Sequence, residues 1–153
     1  MNAEPEDMMV RIGQAIETAQ LGDRSGAQTV LMLIWETVGP DGDPLHRCAV
    51  AHSMADLQDD PENELLWDLR ALEAAHLLTD DRLSAAGMAI SAGGFFPSLY
   101  LNLADVYRRL GAMDKAREHV ALGKSAISWL SDDGYRRMIQ LALDRVLDQL
   151  PVS

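Results

Sequence analysis

The chain has 153 residues, the length of one ordinary domain, and its 20 Ala and 22 Leu against 14 Val plus Ile and 4 Thr favour helix over strand. A formal charge of −11 opposes nucleic acid as a partner, and no apolar run approaches the roughly 18 residues that argue for a membrane span. The lone Cys48 excludes an internal disulfide and suits a reducing cytoplasm, while Met1 to Met9 carries Glu4, Glu6 and Asp7 with no basic residue and does not read as a leader.

Glycine, proline and aspartate divide the chain into helical lengths. The first expected helix covers 5–21 and stops at Gly22, where a left-handed residue ends the turn. Ser25 reads as the cap of a second, 26–38, with Val30, Leu31, Ile34 and Val38 on one face, and Gly39-Pro40 stops it. Asp43-Pro44 is a cap followed by proline in the first turn, and opens a helix running to about Leu57. Asp60-Pro61 repeats that signal and opens 61–78, whose stripe reads as Leu65, Leu69 and Leu72, widened by Leu66 and Trp67. Thr79 caps a short helix over 80–90, which Gly93-Gly94 breaks off. The next helix, 97–110, carries Leu99, Leu103, Val106, Tyr107 and Leu110, and Gly111 ends it. Then follow 113–130, with Ala116, Val120, Ile127 and Leu130, and a last helix capped by Ser131-Asp132-Asp133 with Tyr135, Ile139, Ala142, Val146 and Leu150 on its stripe. No segment alternates with period two, so the chain reads as all-α: helical hairpins with short turns, in a single domain over 1–153.

Between Tyr100 and Ser128 the residues Tyr100, Leu103, Ala104, Tyr107, Gly111, Ala116, Val120 and Gly123 resemble one tetratricopeptide (TPR) repeat, a helix-turn-helix unit of about 34 residues. Small residues at Ala104, Ala116 and Gly123 let two helices approach, and Tyr100, Leu103, Tyr107 and Val120 fill the space toward the next hairpin. The resemblance covers 97–130 closely and 5–38 and 44–78 loosely, and it leaves out 79–96. It implies a stack of about three hairpins, with the helix at 133–150 as the cap that hides the last apolar face. Trp35, Trp67 and Trp129 fall on apolar faces and read as packing between hairpins.

Cys48, His52 and Asp56 recur every fourth residue on one helix that also carries His46, the residue types of a zinc site. Zinc needs three or four ligands converging at about 2.0–2.3 Å, and only His76 and His119 remain to complete the set. A Cys48–His52 nucleophile pair needs an electropositive setting, and Arg47 alone supplies little of one. The pairs Asp59-Asp60, Asp80-Asp81 and Asp132-Asp133 sit at helix starts, where capping accounts for them. No CxxC, HExxH, GxSxG, P-loop or GxGxxG motif occurs, so neither a cofactor nor an enzymatic activity is expected.

The TPR resemblance implies that the first helix of each hairpin lines a concave groove. The residues expected to bind a partner there are His46, His52 and Asp56 from the middle hairpin and Asn102, Asp105 and Arg109 from the third, with Met9, Ile12, Gly13, Ile16 and Gln20 as the groove positions of the first. Asn102 falls where the family's groove asparagine grips ligand backbone, a task that suits an amide because it both donates and accepts. The expected function is a non-enzymatic scaffold holding a peptide or helix of another protein. One alternative is a homodimer built on the apolar face Met9, Ile12, Ile16 and Ala19; another is a small metal-dependent enzyme using His46, Cys48, His52 and Asp56. At the groove itself, the alternatives are solvated side chains or residues 131–153 folded back into the concavity.

Overall fold

The computed structural model describes residues 5–152, so Glu4 of the leader reading lies outside the described residues. The chain forms α1 (Pro5–Gln20), α2 (Arg24–Val38), α3 (Pro44–Asp56), α4 (Pro61–Ala75), α5 (Asp80–Ala85), α6 (Phe96–Arg109), α7 (Met113–Ala126) and α8 (Gly134–Asp148), with 3-10 turns at Ala92–Phe95 and Ile127–Trp129. Among the described residues there is no strand. The starts follow the carboxylates and hydroxyls. Asp43 accepts from the Leu45 amide (3.0 Å), Asp60 from Glu62 (3.2 Å), Thr79 from Arg82 (3.1 Å) and Asp133 from Arg136 (3.1 Å), each satisfying an amide with no partner inside its helix. At α2 the cap is Asp23, which accepts from Gly26 at 2.9 Å, and not Ser25: the carboxylate stands closer to the turn and Ser25 is already helical.

The turns after α1 and α6 are built alike. Gly22 (φ +105°) and Gly111 (φ +82°) take the left-handed conformation, and each is spanned by a bond from the following amide, Asp23 to Thr18 O (3.1 Å) and Ala112 to Tyr107 O (2.9 Å). Alanines seven residues before and five residues after each glycine are buried: Ala15 and Ala27 in the first hairpin, Ala104 and Ala116 in the third. The pairs α1/α2, α3/α4 and α6/α7 pack as hairpins; α3 rests on α1 and α2, α6 on α4, and α8 on α6 and α7. The array is therefore three stacked hairpins closed by a final helix, with α5 and the Ala92–Phe95 turn inserted between the second and third.

Its core falls into two clusters that meet at α6. One unites α1 to α4 with Leu83 and Leu99; the other gathers Ala104, Val120, Ile127, Leu130, Ile139, Leu143 and Val146. Between hairpins two and three an aromatic file runs through His76, Phe96, Tyr100, His119 and Tyr107, with neighbouring centroids 4.9 to 6.1 Å apart. Tyr100 and Tyr107 thus flank His119 within their own hairpin, and Phe96 makes the contact back to His76 of the second.

Several details depart from the sequence reading. The helix expected over 80–90 closes after six residues, and that expected over 113–130 gives way to a 3-10 turn at Ile127. On α2, Val30 faces solvent while Leu31 and Ile34 are buried. On α4 the inward face is Trp67, Asp68, Ala71, Ala74 and Ala75; Leu65 and Leu72 lie at its flanks and Leu69 is exposed. The tryptophan decides this. Trp67 packs edge-on against Trp35 at 5.2 Å, with Arg47 over the Trp35 ring and Arg70 over Trp67, and that large contact turns the helix away from its leucine stripe. Trp129 is largely exposed, yet its ring lies where a Cβ on Gly93 would stand, so Gly93 provides a close approach; the break after α5 comes earlier, at Gly87 (φ +74°), and not at Gly93-Gly94. On α8 Tyr135 is exposed and Leu143 takes a fully buried place.

Close packing of the third hairpin sets a test. Ala116 is fully buried on α7, whereas Ala112 lies in the turn. Ala116→Leu is expected to lower stability by roughly 1–3 kcal/mol and Ala112→Leu to be nearly neutral, as read from urea midpoints.

Candidate functional site

Two stripes of side chains define the site. On α3 they are Cys48, His52 and Asp56, one turn apart; on α6 they are Ser98, Asn102, Asp105 and Arg109, at the same helical spacing. Two contacts set their relative direction. Near the start of each stripe, Cys48, Ala49 and His52 share a cavity of about 230 Å³ with Ser98 and Leu99. Near the end of each, Arg109 of α6 is bridged to Glu64 in the first turn of α4, the helix that returns along α3 from Asp56. The stripes therefore run in the same direction, with α4 packed against both helices. On the other flank of α3, Ile16 and Gln20 of α1 line a cleft of about 290 Å³ with Ser53 and Asp56, which carries the concave face onto the first hairpin.

The first end of the groove is closed by the chain itself. Met88, Ile90, Gly94 and Phe95 of the insert, together with Tyr135 from the first turn of α8, line the cavity that His52 faces. The rest of α8 packs on α6 and α7. The insert is tied down by Arg82, which donates to Asp43 Oδ2 through Nε (2.9 Å) and Nη2 (2.7 Å), and by Asp80, which accepts from the Ala92 amide at 2.8 Å. Burial acts to raise the Asp43 carboxyl, but the Arg82 and Leu45 hydrogen bonds and the His46 and Arg82 charges outweigh it and hold it below its ordinary value.

Each residue expected to bind a partner has a definite place. His46 is buried 3.7 Å from Asp43, so it does not present itself to the groove. His52 is half-buried, with its Nδ1 enclosed and unpartnered. Asp56 is exposed; Asn102 and Asp105 are half-buried. Arg109 is bridged to Asp105 at 3.0 Å and to Glu64 of α4, and Arg108 binds Asp105 at 2.9 Å. Four of the six, His52, Asp56, Asn102 and Asp105, thus remain on the groove face; His46 is enclosed and Arg109 is held by two carboxylates. Burial pushes the Cys48 thiol up to about 12, which keeps it protonated at neutral pH, and among the described residues no three His, Cys, Asp or Glu stand close enough to hold a metal ion. His119 packs between Tyr100 and Tyr107, and its Nδ1 lies 2.7 Å from Lys115 O. Ile12, assigned to an apolar dimer face, is a core residue.

The site also contains groups that the sequence reading missed. Asp68 is only 2% exposed, and Glu64 completes the Arg109 bridge. The signal was available in Glu64, Asp68 and Leu72, at spacing four on one face of the 61–78 helix, but the leucines on the neighbouring face obscured it. Burial and the nearby charges of Glu64, Asp56 and Asp105, only partly offset by Arg109, push Asp68 up to about 8. A carboxyl whose proton is held more tightly in the folded chain favours folding at low pH, and that contribution fades as pH rises from the unfolded value near 4 through 8. The urea midpoint is therefore expected to be higher at pH 5 than at pH 8.5. Asp68→Asn should remove most of that difference, on the order of a few kcal/mol, chiefly by raising stability at the alkaline end.

A scan against protein-family models, a search of curated proteins and a search of solved structures each find no match to this chain.

Proposed function

We propose that this chain is a non-enzymatic, TPR-like interaction module, a single domain over residues 1–153, that holds an extended or helical segment of another protein along its concave face. The observation that carries the reading is the pair of stripes on α3 and α6, polar and ionisable side chains lying beside core positions and running in the same direction. Side chains at such spacing meet a chain laid along the groove at one-turn intervals. The cleft at Ile16 and Gln20 adds an apolar end to it. Support also comes from the twofold use of one hairpin plan, glycine turn and buried alanines alike, and from the net charge of −11, which favours a protein over a nucleic acid as partner. Among the described residues no helix is long and apolar enough to cross a membrane. A reducing cytoplasm is the compartment proposed, on the strength of the single buried thiol.

The test is a paired pull-down from the source cell using the full chain and a His52→Ala, Asn102→Ala double variant whose thermal melt matches it. Loss of the specifically retained proteins from the variant is the expected result. An unchanged set of partners would remove the groove from the reading.

A further inference from the structure

Asp68 is the one acid that is buried among the described residues, and its Oδ1 has no hydrogen-bond partner. The charges that reach it come from every helix around it: Glu64 on its own α4, Asp56 on α3, and Asp105 and Arg109 on α6. Four carboxyls thus converge, and the one cation acting on Asp68 is already engaged. Arg109 is held by Glu64 and Asp105, while Arg108 is bound to Asp105 alone. Asp56, at the exposed edge of the cluster, and Asp68, at its floor, have no ion pair. The cluster is short of positive charge, and of its members Asp56 is the unpaired acid exposed to solvent.

We propose that this cluster receives a basic side chain of the bound segment, an arginine or lysine whose cation lies between Asp56 and Asp68 beside Arg109. The proposal rests on the reading of the concave face as a protein-binding groove, and it specifies the chemistry of the segment held there. An inorganic ion fits poorly, because no three of these ligands stand within coordination distance of one point. A guanidinium spreads five donors over a plane and can reach carboxylates too far apart to share a metal. Asp68, held at about 8, is mostly protonated at neutral pH without a ligand; an adjacent cation favours its ionised form, so binding releases a proton and strengthens as pH rises toward 8. The rim supplies the attraction at longer range: Asp56 is exposed, and the chain as a whole carries −11.

The probe is the blocked tripeptide acetyl-Ala-Arg-Ala-amide at millimolar concentration, with acetyl-Ala-Gln-Ala-amide as its uncharged counterpart. The readout is the side-chain carboxyl carbon of Asp68, followed by NMR through a pH titration of the full chain. The arginine peptide is expected to lower the Asp68 midpoint by about one unit and the glutamine peptide to leave it in place. Asp56→Asn, an exposed change whose own effect on the resting Asp68 midpoint is measured without peptide, should weaken the arginine effect several-fold. Asp68→Asn, which mimics the protonated state, should abolish binding of the arginine peptide as followed by amide shifts. An Asp68 midpoint that responds equally to both peptides, or not at all, overturns the cation site, as does undiminished binding of the arginine peptide to Asp68→Asn. If the His52 and Asn102 pull-down still loses its partners in that case, the groove stands and only its cation site falls. If the pull-down is unchanged while Asp68 responds to arginine alone, the cation site stands and the groove reading falls.

Discussion

Two helices joined by a turn of a few residues pack closely only where their facing side chains are small. In this chain that constraint is met by alanine on both sides of the turn, Ala15 with Ala27 and Ala104 with Ala116, and by Gly123, where a Cβ would press on Leu143 of the final helix. The left-handed glycines at Gly22 and Gly111 place those alanines at equal distances from the turn. Once each hairpin is fixed in this way, its remaining apolar face must be buried by the next hairpin, and the stack follows. The concave face is what is left on the first helices after both of their neighbours have been satisfied.

Along and beneath that leftover face the chain keeps groups that a core would reject. An unpartnered buried carboxyl is costly, and Asp68 bears the added repulsion of three neighbouring acids. Arg109 relieves part of this load but is divided between Glu64 and Asp105. The enclosed Nδ1 of His52 is a second unpartnered polar atom along the same strip, at the other end of the stripe. Both lie on elements fixed firmly by packing elsewhere, α4 by the Trp35–Trp67 contact and α3 by its helix partners on two sides. A rigid scaffold can keep such groups in place where a marginal one would rearrange to satisfy them.

Much of the fold was legible because its signals are local. The Asp-Pro starts, the Thr79 and Asp133 caps and the stops at Gly22, Gly39 and Gly111 each depend on residues within one turn, and each stands where the sequence places it. The inward face of α4 was not legible, since it depends on a tryptophan from another helix; the leucine stripe is the better periodic pattern and Trp67 is the larger contact. The same holds for Gly93, whose need for a hydrogen side chain comes from Trp129, 36 positions away. At the site, spacing alone brought His52 and Asp56 to one face and Asn102, Asp105 and Arg109 to another. It gave no hint that His46 is enclosed beside Asp43, nor that α4 contributes an acid from beneath.

The division of the core at α6 has a dynamic side. Each of the two clusters is held by its own helices, and a single helix carries Leu99 into one and Ala104 into the other. Cooperativity between the ends of the molecule therefore passes through α6, by its packing on α4 and the aromatic file as well as by its backbone. Opening of α7 and α8 would expose the smaller cluster while leaving the contacts among α1 to α4 in place, so the carboxyl-terminal third is expected to open as its own unit, with amides that exchange more readily than those of α3 and α4. A ligand that touches both α3 and α6 spans that joint, and ties the fluctuations of one unit to those of the other.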